Sequence, residues 1–469
     1  MFPLVEFPEL VQHYAPFFAS VFTEKAFVQF QRYVSGLIVS ENKTVDGINR
    51  LFVLESRNQS SLNRLLTESP FSVEALNQAR LALLASLPGT QMKRKGVLSV
   101  DDTHLTHYGR HFEQIAYLYD PAQKRHMWAH NRVNLHYSDD LTDYPVAFQL
   151  WKPADLEEIE HGLPAAGVRL TASKLALKDE DPKKWRNYLL GVWHRHQSKP
   201  AVAELYQSKL LIARRLLQAW QDDHPALKLP VAFDNWYTKP AFCRFLDQDL
   251  QLSYVGALAV DDEVILATGA EALARFAQRL KEEHLATVES DGKRVFHKIS
   301  FDYKGERQTY YTYCRTHRIR HFGKQRLVIS HRQADLSDKP VFTNSNRLYW
   351  QATGIMRIRR HRWPVEVYHE EGKAEGLDQY QVRDFEAIAK HIALVAVTYS
   401  LLRAAPHDEV LFHKLQRQLE LEIEDSAAFW RRTAQAQSLW VLACFIAAAV
   451  TQGHTLHEVM TPLLATVCC

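Results

Sequence analysis

The chain of 469 residues is long for a single hydrophobic core, so two or three domains are expected. Hydrophobic residues make up 46% and charged residues 24%, the balance of a soluble globular protein, and a net charge of +3 neither demands nor excludes nucleic acid. Five cysteines, odd in number and without a CxxC, exclude a disulfide scaffold and a cysteine-built zinc site and fit a reducing cytoplasm.

The opening Met1-Phe-Pro-Leu-Val-Glu6 has an early acid and no basic stretch, unlike a signal peptide. Residues 1–92 read as an all-helical domain. Within it Thr44 to Leu54 is expected as one helix, Ser56 to Ser60 as a turn and Ser61 to Leu66 as a second short helix bearing Asn63 and Arg64. That arrangement is compatible with a DNA-binding helix-turn-helix and equally with a corner of a plain bundle. After Lys93-Arg-Lys95 the texture changes. Gly96 to Asp102 is an apolar strand ending in two acids. Strands over Phe112–Tyr119, Arg132–Tyr137 and Tyr144–Leu150 follow, then helix from about Lys183 to Trp220. Leu229 to Asp234 is a further strand ending in an acid. A helix (Lys239–Leu250) and a strand (Leu252–Ala257) complete residues 93–257. Three strands, a helix, a strand, a helix and a strand is the order of a ribonuclease-H-like core of α/β class.

Residues 258–345 interrupt that core with a β-rich insertion. A helix is expected over Glu271–Glu283 and strands over Arg294–Tyr303, Gln308–Cys314 and Arg326–Ser330. Its cations, Arg318, Arg320 and Lys324 among them, alternate with tyrosines, a texture suited to a phosphate backbone or to a solvated sheet face. Residues 346–405 return to helix and complete the core, His391–Leu402 continuing from the helix before it. Residues 406–469 are a helical C-terminal region. The apolar run Leu439–Val450 is shorter than the about 20 residues a membrane span needs and reads as a buried or dimerising helix.

The densest chemistry lies at Arg362-Trp-Pro-Val-Glu-Val-Tyr-His-Glu-Glu-Gly-Lys373. On a helix Glu366 and Lys373 share one face, and Arg362 joins it if the helix runs through. A carboxylate flanked by cations beside apolar residues suits a divalent metal with phosphate oxygens nearby. Phosphodiester chemistry with two such ions needs converging acids on separate elements. The chain offers Asp101 or Asp102, then Asp234, then Glu366. Asp234 could alternatively be the N-terminal cap of the helix that follows it. Alternation puts Asp101 and Asp102 on opposite faces of their strand, so one of them points at the metals. His369, one turn after Glu366, either reaches the same site or is a satisfied core histidine. Trp236 either stacks on a displaced base or packs in the core.

Arg362, Glu366 and Lys373 resemble the last signature of bacterial insertion-sequence DDE transposases, the branch with Tyr-x2-Arg-x3-Glu-x6-Lys. The tyrosine position holds Arg359, a residue able to make the same phosphate contact. The resemblance covers about Gly96 to Leu402. It implies catalytic and metal-binding Asp102, Asp234 and Glu366, since an apolar strand, an acid and then threonine matches Asp102-Thr103. It implies DNA contacts from Arg359, Arg362 and Lys373, from Trp236, and from the insertion through Arg318, Arg320 and Lys324. The expected activity is cut-and-paste transposition with two Mg²⁺ ions, Mn²⁺ substituting. The expected partners are double-stranded element ends and target DNA, bound by a homodimer at the nucleoid and away from membranes. A domesticated or inactive relative that only binds DNA is the alternative.

Overall fold

A computed structural model describes residues 3–54, 58–120, 123–289, 294–420, 424 and 426–464. Twelve strands form one mixed sheet: β1 Val97–His107, β2 Ala116–Asp120, β3 Arg125–Ser138, β4 Asp143–Trp151, β5 Val231–Phe233, β6 Tyr254–Ala257, β7 Glu263–Leu266, β8 Gly269–Ala272, β9 His297–Tyr303, β10 Glu306–Ile319, β11 Gly323–His331 and β12 Val341–Ser345. Its catalytic half runs β4-β3-β1-β5-β6. The pairs β4/β3 and β3/β1 are antiparallel, and β1/β5 and β5/β6 are parallel. This is the ribonuclease-H-like core.

The insertion extends that sheet. From β6 it continues through β12, β11, β10, β7 and β8, with β9 on β10. β9, β10 and β11 lie close to where the Tyr-, Val- and Ile-rich runs place them, while β7, β8 and β12 have no counterpart among the strands expected from the sequence. Its helix, Leu273–Glu289, begins two residues later than expected and runs longer.

Elsewhere the sequence and the structure part in instructive ways. β1 does not stop at its acids but runs on to His107, because β3 pairs with its whole length. The expected helix Lys183–Trp220 is broken into Pro182–His196, Pro200–Ala203 and Lys209–Asp223, since proline lacks the amide that would continue the ladder through Pro200. A helix over Leu156–Ala165, capped by Asp155, joins the first of these in a small hydrophobic cluster of its own around Trp185 and Trp193. Residues 44–54 form only the short helix Val45–Asn49, and the turn expected at Ser56–Ser60 lies partly outside the described residues. The second helix, Ser60–Thr67, is present with Asn63 and Arg64 exposed.

One hydrophobic cluster runs from Leu4 in the N-terminal helices through β1, β3, β4 and β5 to Trp430 in the tail. Its centre is the helix Phe385–Ala404, whose residues are almost all buried. That helix is separate from the signature helix and does not continue it. The run Leu439–Val450 sits inside the 25-residue helix Ala427–Thr451. By length and composition this helix and the segment 385–407 could each cross a membrane, but 83% of the latter's apolar window is buried as core. Of the helix Ala427–Thr451 only 28% is buried, with Leu439 and Trp440 about half exposed.

Asp143, at the start of β4, ties the parts together. It accepts from Tyr399 (2.8 Å) on the core helix and from Lys304 (2.9 Å) between β9 and β10, and it faces Arg403 and His136. Burial pushes its carboxyl up, but Arg403, Lys304 and His136 outweigh burial and hold it well below the usual carboxylate range.

Candidate active site

The register of β1 decides which acid faces which way. Asp101 lies opposite Asn134 on β3, and Asp102 opposite Val133. On the Asp101 side, Ser99 donates to the carbonyl of His361, Asn134 is 2.8 Å from His369, and Arg132 donates to Tyr368. That face is therefore covered by the helix Trp363–Ala374 and the residues leading into it. Asp102 points to the opposite face.

Asp234 follows Phe233, which is level with Val100 across the parallel pair β1/β5. It is thus the residue next in register to Asp101, just past the carboxyl end of β5 and of its parallel pairing with β1, which itself runs on to His107. Its Oδ1 accepts the amides of Trp236 (3.0 Å) and Tyr237 (3.2 Å) and so closes the turn after β5, whereas the helix Pro240–Arg244 has Lys239 and not Asp234 as its N-cap. Burial raises its carboxyl, opposed by those amides and by Arg362.

Glu366 comes from the first turn of the signature helix, where the helix dipole favours an acid. Pro364 in that turn explains the break from the preceding helix, Ala352–Arg360. Arg362 is the N-cap residue and not part of one continuous helix. Its guanidinium still bridges Glu366 and, at 3.3 Å, Asp101. Burial pushes the Asp101 carboxyl up to about 7, Arg362 opposing while Asp234 and Asp102 add to the rise. Arg362 thus links Glu366 to Asp101, and its charge also acts on Asp234.

Asp102 has a different set of partners. It accepts from Lys209 (2.8 Å), Asn131 (2.6 Å) and Tyr237 (2.9 Å). The threonine pattern that singled out Asp102 in the sequence carries no information about which face the strand turns to the helix. Asp101 holds that face. Lys209, Asn131 and Tyr237 had no sequence signal either, because Lys209 is 107 residues from its partner.

A cavity of about 550 Å³ opens over these groups, lined by Asp101, Asp102, Asp234, Trp236, Lys209 and Lys373 among others. Lys373 lines the same cavity as the acids. Trp236 is 44% exposed at the cavity, which removes it from the core. His369 is buried with Asn134, and burial followed by Arg132 holds its imidazole well below the usual range, so it is a satisfied histidine.

Arg359 lines a second, neighbouring cavity of about 240 Å³ with Arg332, Arg360, Arg362 and Tyr310. The insertion cations singled out in the sequence are elsewhere. Arg318 pairs with Lys324 at the tip of the β10/β11 hairpin, and Arg320 is bound to Glu263 at 2.6 Å. Level with Asp234 in the register stands Val328, four residues or about 13 Å along β11 from Lys324. The end of β11 that reaches the Arg359 cavity is the other one, near Arg332.

A family model for the DDE superfamily endonucleases matches residues 16–268, more than half of the 469. The chain belongs to that family. The match takes in the strands of Asp101 and Asp234 and ends before Glu366. No characterised protein matches this endonuclease in sequence. Among solved structures, the piggyBac transposase synaptic complex with hairpin DNA aligns over 95% of this chain and 76% of that one, at 10% identity and a TM-score of 0.40.

DDE endonucleases generally use divalent metal ions. The donors here fit such an ion in kind: carboxylate oxygens on two adjacent strands, with burial and mutual repulsion driving them to seek a cation. Among the described residues no three His, Cys, Asp or Glu side chains already stand close enough to share one ion. Mg²⁺ is commonly held by one or two carboxylates and waters. Asp101 and Asp234 are two carboxylates of that kind lining one cavity.

Proposed function

We propose that this endonuclease is a DNA transposase that cleaves at the ends of a mobile element and joins the freed 3′-hydroxyl to target DNA. The observation that carries the reading is Asp101, within β1, level with Asp234 just past the end of the adjacent parallel strand β5, with Glu366 linked to Asp101 through Arg362. Asp101, Asp234 and Glu366 would hold Mg²⁺, or Mn²⁺ in its place, and the ions would supply an activated water and offset charge on the leaving oxygen. In this reading Asp101, and not the Asp102 of the sequence pattern, is the first metal carboxylate.

The rest of the site would bind and orient DNA. Lys373 at the cavity and Arg359 and Arg362 beside it are placed to offset phosphate charge. Trp236, exposed at the cavity rim, offers a ring to an unstacked base. Two element ends would be paired by a dimer, as cut-and-paste chemistry requires. The chain would work on DNA in the cytoplasm.

The deciding assay is cleavage and strand transfer on a labelled duplex carrying the element's own ends, with Mg²⁺ or Mn²⁺, comparing wild type with Glu366→Gln. Wild type is expected to free a 3′-hydroxyl and join it, and the variant to bind without cutting. Binding by both and cutting by neither would leave the DNA-binding relative as the better reading.

A further inference from the structure

We propose that Lys209 is a phosphate-contacting residue of this endonuclease site, and that Asp102 is the residue that positions it and not a metal ligand. The proposal rests on the assignment of Asp101, Asp234 and Glu366 as the metal carboxylates.

Asp102 already accepts three donors. Its Oδ2 takes the Lys209 ammonium and the Asn131 amide, and its Oδ1 takes the Tyr237 hydroxyl. Those donors come from β3, from the loop after β5 and from the helix Lys209–Asp223, so three elements converge to fix one carboxylate. Asp101, by contrast, accepts the Asp102 amide and a long contact from Arg362. A metal that took both oxygens of Asp102 would compete with three donors bonded at 2.6, 2.8 and 2.9 Å.

Lys209 is held as deliberately. It is the first residue of its helix, after the cap Ser208. Its ammonium lies 5.8 Å from the Trp151 ring and 5.4 Å from the Trp236 ring, a spacing at which aromatic faces attract a cation. An ammonium carries three donors. One goes to Asp102, the two rings flank the ammonium, and the residue lines the same cavity as Asp234 and Lys373. With a side chain only 17% exposed, Lys209 is oriented into the cavity and not free in solvent. A strand entering the cavity would meet Lys373 from the signature helix and Lys209 from this second helix.

Two readouts separate the roles. The first is Mn²⁺ binding without DNA, followed by electron paramagnetic resonance. The second is the salt dependence of binding to a fluorescent duplex of about 30 base pairs and arbitrary sequence in EDTA. Lys209→Gln and Asp102→Asn are each expected to keep Mn²⁺ affinity within about twofold while lowering the slope of log K against log salt by about 0.9. The double variant should fall no lower than either single, and Lys209→Arg should restore the slope. Asp101→Asn should do the reverse, losing Mn²⁺ and keeping the slope. Lys209→Met, which retains the stem between the rings, replaces the glutamine variant if that melts early.

Loss of Mn²⁺ binding in Asp102→Asn would make Asp102 a ligand and overturn the proposal. A wild-type slope in Lys209→Gln and Lys209→Met would do the same by making the cluster structural. If wild type itself binds no Mn²⁺, the metal assignment fails, and the slopes still decide Lys209.

Discussion

Replacing Asp101 by asparagine should make the protein more stable in EDTA at pH 8 and remove its response to Mg²⁺. In the folded chain this carboxyl ionises at about 7 against an ordinary value of 3.8, chiefly because it is buried. At about 1.36 kcal/mol per pH unit, that gap sets about 4 kcal/mol against the fold once the group is charged. The sign follows from linkage. An acid raised by folding contributes its stability below 3.8 and loses it as pH climbs to about 7. Asparagine keeps the acceptor for the Asp102 amide and has no charge to bury, so a gain of about 2–4 kcal/mol at pH 8 is expected. Melting curves of both proteins from pH 5 to 8 would show the gap between them opening with pH. The difference is the quantity to follow, since Glu375, pushed up to about 8 by burial, titrates in both. Mg²⁺ at a hundred times its Kd should restore about 2.7 kcal/mol to wild type and little to the variant. Curves that stay superimposed across the range would show that Asp101 carries no suppressed charge, and the site assignment would lose its physical basis.

Removing the Asp143 carboxylate as Asp143→Ala should cost about 3–5 kcal/mol, because Lys304 and Arg403 would lose the group that compensates them; chemical denaturation measures it. Gly256→Ala would bring a methyl to 2.7 Å from Phe233 and 2.9 Å from Thr238, strands away from any surface. A loss of about 1–3 kcal/mol is expected, with reduced Mn²⁺ affinity because Phe233 precedes Asp234. Lys373→Ala should weaken binding to duplexes of any sequence equally and lower the salt slope by about 0.9, while an effect confined to one sequence would place Lys373 at a base edge.

Local pattern made much of this protein readable. The strand-rich insertion, the apolar strands leading into the acids and the stripe Arg362, Glu366 and Lys373 depend on spacing along a few turns or pleats, and such spacing is written directly in the chain. The alternation rule also said correctly that Asp101 and Asp102 face apart. It could not say which of them faces the signature helix, because that depends on how β1 registers with β3 and on where a helix more than 250 residues later docks. The same holds for Lys209, which meets Asp102 only when the fold closes. It holds for the insertion's cations too: Arg318, Arg320 and Lys324 share their composition with Arg332, and only the hairpin's direction separates them. Sequence determined the elements and the chemical types. Tertiary structure decided which carboxylates meet, since burial and charge act through space and take no account of distance along the chain.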